Sequence, residues 1–426
     1  MTTITAQPAP APSATANTPA DQPRPQRFFT ADDFDYNAKT MLGHVNQGMI
    51  DIGLALATLD RIPDGDAVGW YRAWFDTAEQ LRSRGLASHP AGSAVSAGAF
   101  FLAASEAYDQ ALAFVDGMPD ESVLLPTFRL HRECWDRFIS SSQGRHLPIA
   151  VPYEGDSMPG YLLRPDASGA ARPTVVVTNG SDGSLAGLWA YVIKGALERG
   201  WNVFVFDGPG QQSMLFERDV PFRHDWEAVL TPVVDLLVVR DDVDAEALLA
   251  YGISQGGYWL PRALAFEHRF VAAVADGGVV DVARTWNANL PPQLLALLRA
   301  GDKSTFNQVM AAATTTADPE MQRTIAFRAK PYGLSDPYEL FSEVNRYTLA
   351  GVIDKITTPM LITDPDDEQF FAGQPQELYD ALNCPKILVR FTADEGANAH
   401  CEPMARPLVD LRMGDFFADQ LAKSRA

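Results

Sequence analysis

Residues 250–263 read AYGISQGGYWLPRA. An apolar run ends at Ile253, and Ser254 is then enclosed by Gly252, Gly256 and Gly257. Glycines packed this closely around one hydroxyl suit a turn too tight for side chains. Gly-x-Ser-x-Gly between a strand and a helix is the pattern of a nucleophile elbow, which lifts a serine Oγ to the apex of the turn. A serine hydroxyl is a weak nucleophile at neutral pH. It needs a base within hydrogen-bond reach, and the base needs an acid that orients it.

The chain has seven histidines, and two of them, His268 and His400, follow Ser254. In the fold that uses this elbow the order is serine, acid, histidine. His268 sits in FEHRF, at the end of the helix that the serine opens, where an imidazole favours the last carbonyls. His400 sits in the loop TADEGANAHCEP after the last predicted strand, the place expected of the base. The acid is expected after the strand PMLIT, where the loop offers Asp364, Asp366, Asp367 and Glu368. The spacing Gly-x-x-Asp-x-x-Val-Pro of ordinary hydrolases, laid on DPDDEQFF, selects Asp367, with the other three carboxylates as alternatives. Two N–H groups must face the oxyanion that forms on attack. The expected donors are Gln255, directly after the nucleophile, and Ser181, in the turn NGSDGS after TVVVT. Asp207, in FDGPGQQ, reads as a turn cap.

These residues need a scaffold. PTVVVTNG, WNVFVFDGPG, LLAYGISQGG and VAAVADGGV are short β-branched runs that end in Gly, Asn or Asp. Helical stretches separate them, which predicts a mostly parallel α/β sheet flanked by helices. HLPIAVPYE and MPGYLLRP alternate as a hairpin does. Residues 27–144 carry apolar residues at spacings of three and four and predict an all-helical N-terminal domain. The α/β domain is expected over 145–426, with a helical insertion at about 282–350. Residues 1–26, rich in Pro, Ala and Thr, read as a disordered tail.

Composition narrows the function. The chain has 426 residues, 46% of them hydrophobic, and a formal net charge of −20. Such a charge argues against nucleic acid or an anionic membrane surface as partner. No apolar run approaches the ~20 residues that span a bilayer, and no basic-then-apolar leader opens the sequence. The three cysteines are neither a disulfide framework nor a zinc site, and they fit a cytoplasmic setting. No cofactor or metal is expected.

FDGPGQ, GISQGGYWLPRALAFEHR and EGANAHCEP resemble a group of α/β-hydrolases with a helical N-terminal domain. The group includes 2,6-dihydroxypseudooxynicotine hydrolase, fungal heptaketide chain-shortening hydrolases, and fermentation/respiration-switch-like esterases. The resemblance runs from about residue 30 to the end. It implies an α/β-hydrolase fold, Ser254 and His400 as triad members, a substrate pocket between the helical domain and the sheet, and a homodimer. The group spans ester cleavage and C–C cleavage in β-diketone-like compounds. The expected activity is therefore serine hydrolysis of a small, apolar or aromatic carbonyl substrate, with C–C hydrolysis as the alternative. A non-catalytic hydrolase-like binding protein is the reading from another class, and binding alone needs neither serine, histidine nor acid.

Overall fold

The computed structural model describes residues 27–88, 92–288, 290–316 and 319–426. The tail expected over 1–26 lies outside them. Five helices come first: α1 (Asp32–Asn46), α2 (Ile52–Leu59), α3 (Ala67–Ser88), α4 (Ala94–Ala111) and α5 (Leu124–Ser141). In α3 the buried residues are Trp70, Ala73, Trp74, Thr77, Ala78, Leu81 and Gly85, one stripe at helical spacing. The stripe meets α4 closely. A Cβ at Gly85 would lie 2.7 Å from the Phe101 ring, so only glycine lets the two helices approach here. Phe34, Trp70, Trp74, Phe101 and Tyr108 centre a core that belongs to these helices.

The sheet follows, with strands β1 (His146–Tyr153), β2 (Asp156–Leu163), β3 (Arg172–Thr178), β4 (Asn202–Phe206), β5 (Val243–Ile253), β6 (Phe270–Asp276), β7 (Met360–Pro365) and β8 (Lys386–Phe391). Their spatial order is β1-β2-β4-β3-β5-β6-β7-β8. The β1–β2 and β2–β4 pairs are antiparallel and every later pair is parallel. Successive side chains on a strand point to opposite faces, so each strand divides between two cores. Val176, Phe204, Phe206, Leu248 and Ala250 enter one core. Val175, Val177, Val203, Val205, Leu249 and Tyr251 enter the other.

The connecting helices cover both faces. They are α6 (Lys194–Glu198), α7 (Gln212–Phe216), α8 (Glu227–Val238), α9 (Gly256–Leu264), α10 (Ala283–Asn287), α11 (Pro292–Ala300), α12 (Lys303–Thr316), α13 (Pro319–Ala329), α14 (Pro337–Val344), α15 (Gln374–Ala381) and α16 (Arg406–Ser424). Trp226 of the turn into α8 and Trp259 of α9 stack at 4.6 Å between ring centroids on one face. On the other face, Met413, Phe416 and Phe417 of α16 share a core with Trp135 and Ile139 of α5. The helical N-terminal region thereby rests on the same sheet face as α16. Helices α10 to α14 lie between β6 and β7, over the segment where sequence periodicity breaks the α/β alternation.

Polar contacts orient the helical region. Arg132 of α5 donates to Asp207, just past β4, at 2.5 Å. Asp207 also accepts the N–H of Ser213 in the first turn of α7, the capping role its sequence context suggests. Gln47, just past α1, donates to Asp410 of α16 at 2.9 Å. Asp410 is buried against Gly195, where a Cβ would lie 2.7 Å from its carboxyl carbon.

Two outcomes follow for stability. Removing one member of the Arg132–Asp207 pair strands a buried charge, so Arg132→Met should cost about 3 kcal/mol in urea unfolding. The double change Arg132→Met with Asp207→Asn should recover most of that loss. Burial pushes the Asp410 carboxyl up to about 6, against the attraction of Arg406 and the hydrogen bond from Gln47. The folded chain then holds a proton that the unfolded chain has released, and stability falls as pH rises from about 4 to about 6. Asp410→Asn carries no such penalty. It should gain on the parent by roughly 2–3 kcal/mol between pH 4 and pH 7, and an unchanged difference across that range would overturn the assignment.

Candidate active site

Ser254 lies between β5 and α9 with φ of 55°, a left-handed conformation that a non-glycine residue adopts only when its surroundings enforce it. The surroundings here are glycines at contact. A Cβ at Gly252 would lie 2.4 Å from the Gly256 carbonyl oxygen. One at Gly256 would lie 2.4 Å from Thr178 O at the end of β3, and one at Gly257 would lie 2.4 Å from Gly277 O beyond β6. The Ser254 N–H donates to Asp276 O at 2.9 Å, and its carbonyl accepts from Gly257 at 2.7 Å. The turn is thus wedged between two neighbouring strand ends.

His400 Nε2 stands 2.9 Å from Ser254 Oγ, and its Nδ1 stands 2.7 Å from Glu368 Oε2. The expected acid was Asp367, and the structure places its neighbour there instead. Asp367 pairs through its main chain with the segment before His400: its N–H donates to Asn398 O at 2.8 Å, and its carboxylate accepts from Asn398 Nδ2. Extended pairing sends successive side chains to opposite sides, so residue 367 faces Asn398 and residue 368 faces the imidazole. Asp364 and Asp366 turn away to Arg390, at 2.6 and 3.0 Å.

Glu368 is well held. Its other oxygen accepts the N–H groups of Phe370 and Phe371, at 2.9 and 3.1 Å. Burial alone would raise its carboxyl. The hydrogen bond and charge of His400, with those two N–H groups, hold it below the usual carboxylate range. The Phe370 and Phe371 rings pack beside His400, at 4.8 and 5.9 Å between centroids. The other described histidines are engaged elsewhere: His44 with Glu106, His131 with Ser105, His146 with the Arg164 N–H, His224 with Glu343 and His268 with Thr357.

The turn after β3 touches the serine. A Cβ at Gly180 would lie 3.0 Å from Ser254 Cβ. Asn179 folds the turn, since its Oδ1 accepts the Gly180 N–H at 2.8 Å and its Nδ2 donates to Gly183 O at 2.7 Å. Gln211 clamps it from the other side, donating to Asn179 O and Gly180 O at 2.9 and 3.0 Å while accepting from the Gly208 N–H. Gln211 was missed from sequence, although FDGPGQQ marks where the clamp sits. Ser181 and Gln255 directly follow Gly180 and Ser254, the two residues that approach one another, and the Ser181 hydroxyl donates to Asp182. Arg328 of α13 pairs with Asp182 at 2.6 Å, which brings the inserted helices to the same turn. Tyr36 of α1 reaches His400 O at 3.4 Å, and Ser184 Oγ donates to Asp109 of α4 at 2.7 Å.

Among the described residues no group of His, Cys, Asp and Glu could hold a metal ion, and no helix is long and apolar enough to cross a membrane. The three cysteines are free and buried.

Comparison with known proteins agrees with this scaffold. The prolyl oligopeptidase family matches residues 198–312, which span the strand, elbow and helix around Ser254. Hydrolase LUC6 of a Fusarium species is 28% identical over 371 residues, covering 84% of this chain and 88% of the relative. The 20-hydroxy-prefusarin hydrolase FUS2 of Gibberella moniliformis is 28% identical over 356 residues, covering 81% and 84%. Among solved structures, that of 2,6-dihydroxy-pseudo-oxynicotine hydrolase superposes with a TM-score of 0.70 at 18% identity, covering 89% of this chain and 95% of that one. Both the helices before the sheet and the sheet itself fall within these matches: the chain has the α/β-hydrolase fold and is similar to these hydrolases over most of its length.

Proposed function

We propose that the chain is a serine hydrolase in which Ser254, His400 and Glu368 act as a triad on a small carbonyl substrate. The observation that carries this reading is the unbroken hydrogen-bond chain from Ser254 Oγ through both imidazole nitrogens to a buried, ionised carboxylate. Glu368 keeps the proton of His400 on Nδ1, so Nε2 is free to accept. Ser254 Oγ attacks the substrate carbonyl carbon as its proton passes to Nε2, and Glu368 stabilises the imidazolium that forms. The carbonyl oxygen gains the negative charge, and the main-chain N–H groups of Gln255 and Ser181 are the proposed donors to it. His400 then protonates the leaving group as the tetrahedral species collapses to an acyl-enzyme. Water attacks in turn, with His400 again taking the proton.

We propose that the substrate binds between the helical region and the carboxyl ends of the strands. Tyr36, Arg132 and Asp109 reach toward those ends from the helices, and Phe370 and Phe371 flank His400. An aromatic or otherwise apolar acyl portion suits that flank. A second reading is cleavage of a C–C bond, in which His400 protonates a carbon leaving group. It stands beside the first because the group that the motifs FDGPGQ, GISQGGYWLPRALAFEHR and EGANAHCEP resemble spans both ester and C–C cleavage. Panels of p-nitrophenyl esters and of β-diketones separate the two readings.

Ser254→Ala should abolish covalent labelling by a fluorophosphonate and lower kcat on the order of a millionfold. Retention of more than a tenth of the activity would remove the serine from the mechanism. Glu368→Gln should leave the fold intact and lower kcat roughly ten-thousandfold, since an amide can hold the imidazole in the wrong tautomer. Asp367→Asn should cost less than about tenfold, because its carboxylate serves Asn398 and not the imidazole. The reverse order in steady-state assays at one pH would restore Asp367 as the acid.

A further inference from the structure

We propose that Arg406 is a positioning residue for this reaction: it sets His400 against Ser254 by gripping the backbone that carries one and the carboxylate beside the other. The proposal rests on the triad reading above. Arg406 opens α16 and its side chain is fully buried. Nη1 donates to Cys401 O at 2.8 Å and to Asp276 Oδ2 at 2.9 Å. Nη2 donates to Tyr191 O at 2.8 Å and to the Tyr251 hydroxyl at 2.9 Å. The guanidinium also lies over the Tyr191 ring, 4.7 Å from its centroid.

What these acceptors carry gives the contacts their meaning. Cys401 follows His400 directly, and both Cys401 and Glu402 have positive φ, 55° and 41°. That strained pair turns the chain out of the His400 loop into α16, and the grip on Cys401 O holds the turn. Asp276 is the residue whose carbonyl accepts the Ser254 N–H. Its carboxylate also accepts from the Tyr251 hydroxyl and from Thr363 Oγ1, the latter at 3.0 Å. Thr363 in turn accepts the Gly277 N–H at 2.8 Å, and a Cβ at Gly277 would lie 3.3 Å from His400 Cε1. Thr363 stands on β7, whose end leads to Glu368. One buried ion pair thus touches the supports of all three site residues.

The charges allow this. Glu402, fully buried and 3.6 Å from Arg406, has its carboxyl raised far above the usual range by burial and by Asp276. Burial opposes the charge on Asp276 too, but Arg406 and the hydrogen bonds hold its carboxyl below the usual range. One cation therefore faces one anion, with a neutral carboxyl beside them. Arginine is required by shape as well as charge. Lysine offers one nitrogen where two, at opposite ends of a planar fork, now serve four acceptors. Small displacements at a reacting pair lower the rate steeply without weakening substrate binding.

The test is Arg406→Lys, assayed on a p-nitrophenyl ester after fluorophosphonate titration has counted the competent sites. We expect kcat per labelled site to fall about 30- to 100-fold with KM within about threefold, and the labelling rate to fall in parallel. Wild-type kcat per labelled site in a folded Arg406→Lys enzyme would overturn the proposal, because a purely structural role lowers the number of competent sites and not the turnover of each. Should that variant fail to fold, Tyr251→Phe decides. It removes one hydroxyl from the grip while leaving both charges in place, and a loss of about three- to tenfold in kcat per site is expected. Turnover unchanged in Tyr251→Phe would sink the proposal. Failure of the wild-type protein to label with fluorophosphonate would instead count against the serine mechanism itself.

Discussion

The structure depends on how closely the ends of three strands approach one another. Gly256 lies against the last carbonyl of β3 and Gly257 against the backbone just beyond β6, each at a distance that excludes a Cβ. That proximity leaves Ser254 no relaxed conformation, and it stays at φ of 55° because the N–H bond to Asp276 and the glycine contacts over-determine it. Strain in one residue is a small cost against the packing of a sheet buried on both faces. In return the hydroxyl stands clear of the backbone, at the end of the sheet where the loops converge. The turn after β3, the Glu368 loop after β7 and the His400 loop after β8 all open at this end.

Loops need rigid supports if they are to hold hydrogen-bond geometry, and here the supports are side chains used as clamps. Gln211 spends its whole amide on three main-chain groups, joining the loop after β4 to the turn after β3. Glu368 spends one oxygen on two N–H groups of its own loop and the other on His400. An acceptor fixed in this way cannot swing to another partner, so the imidazole it holds is fixed in turn. The same pairing explains why Glu368, and not the shorter Asp367, meets the imidazole. The loop pairs with the His400 segment through residue 367, and the residue that then faces the ring is the next one.

How much of this was legible in the sequence follows from how local each signal is. The elbow is a five-residue pattern between a strand and a helix, and Ser254 could be read from it directly. His400 could be read because a loop after the last strand is a position defined by element order. Which carboxylate meets His400 was not legible, because the pairing of Asp367 with Asn398 and Ala399 joins segments about thirty residues apart and leaves no mark on either. Asp276 and Arg406 were missed for the same reason. Each looks like an ordinary charged residue at an element end, and only the fold reveals that neither is exposed. The buried strands and the helical stripe of α3 were legible because periodicity of two or near four is itself the physical cause of their burial.

The helical N-terminal region shows what apolar packing does not accomplish alone. Trp135 and Ile139 bury it against the sheet, but hydrophobic contact is non-directional and tolerates sliding. The polar links do not. Arg132 meets Asp207 past β4, Asp109 meets Ser184 past β3, and Tyr36 meets the carbonyl of His400 past β8. Each link ends on a different loop at the site end of the sheet, so together they admit one orientation of the helices over that end. Desolvation offsets much of the attraction in such buried pairs, and their net contribution to stability is small. Their effect is on registry. A helical region held in one register presents the same side chains to the same loops in every molecule.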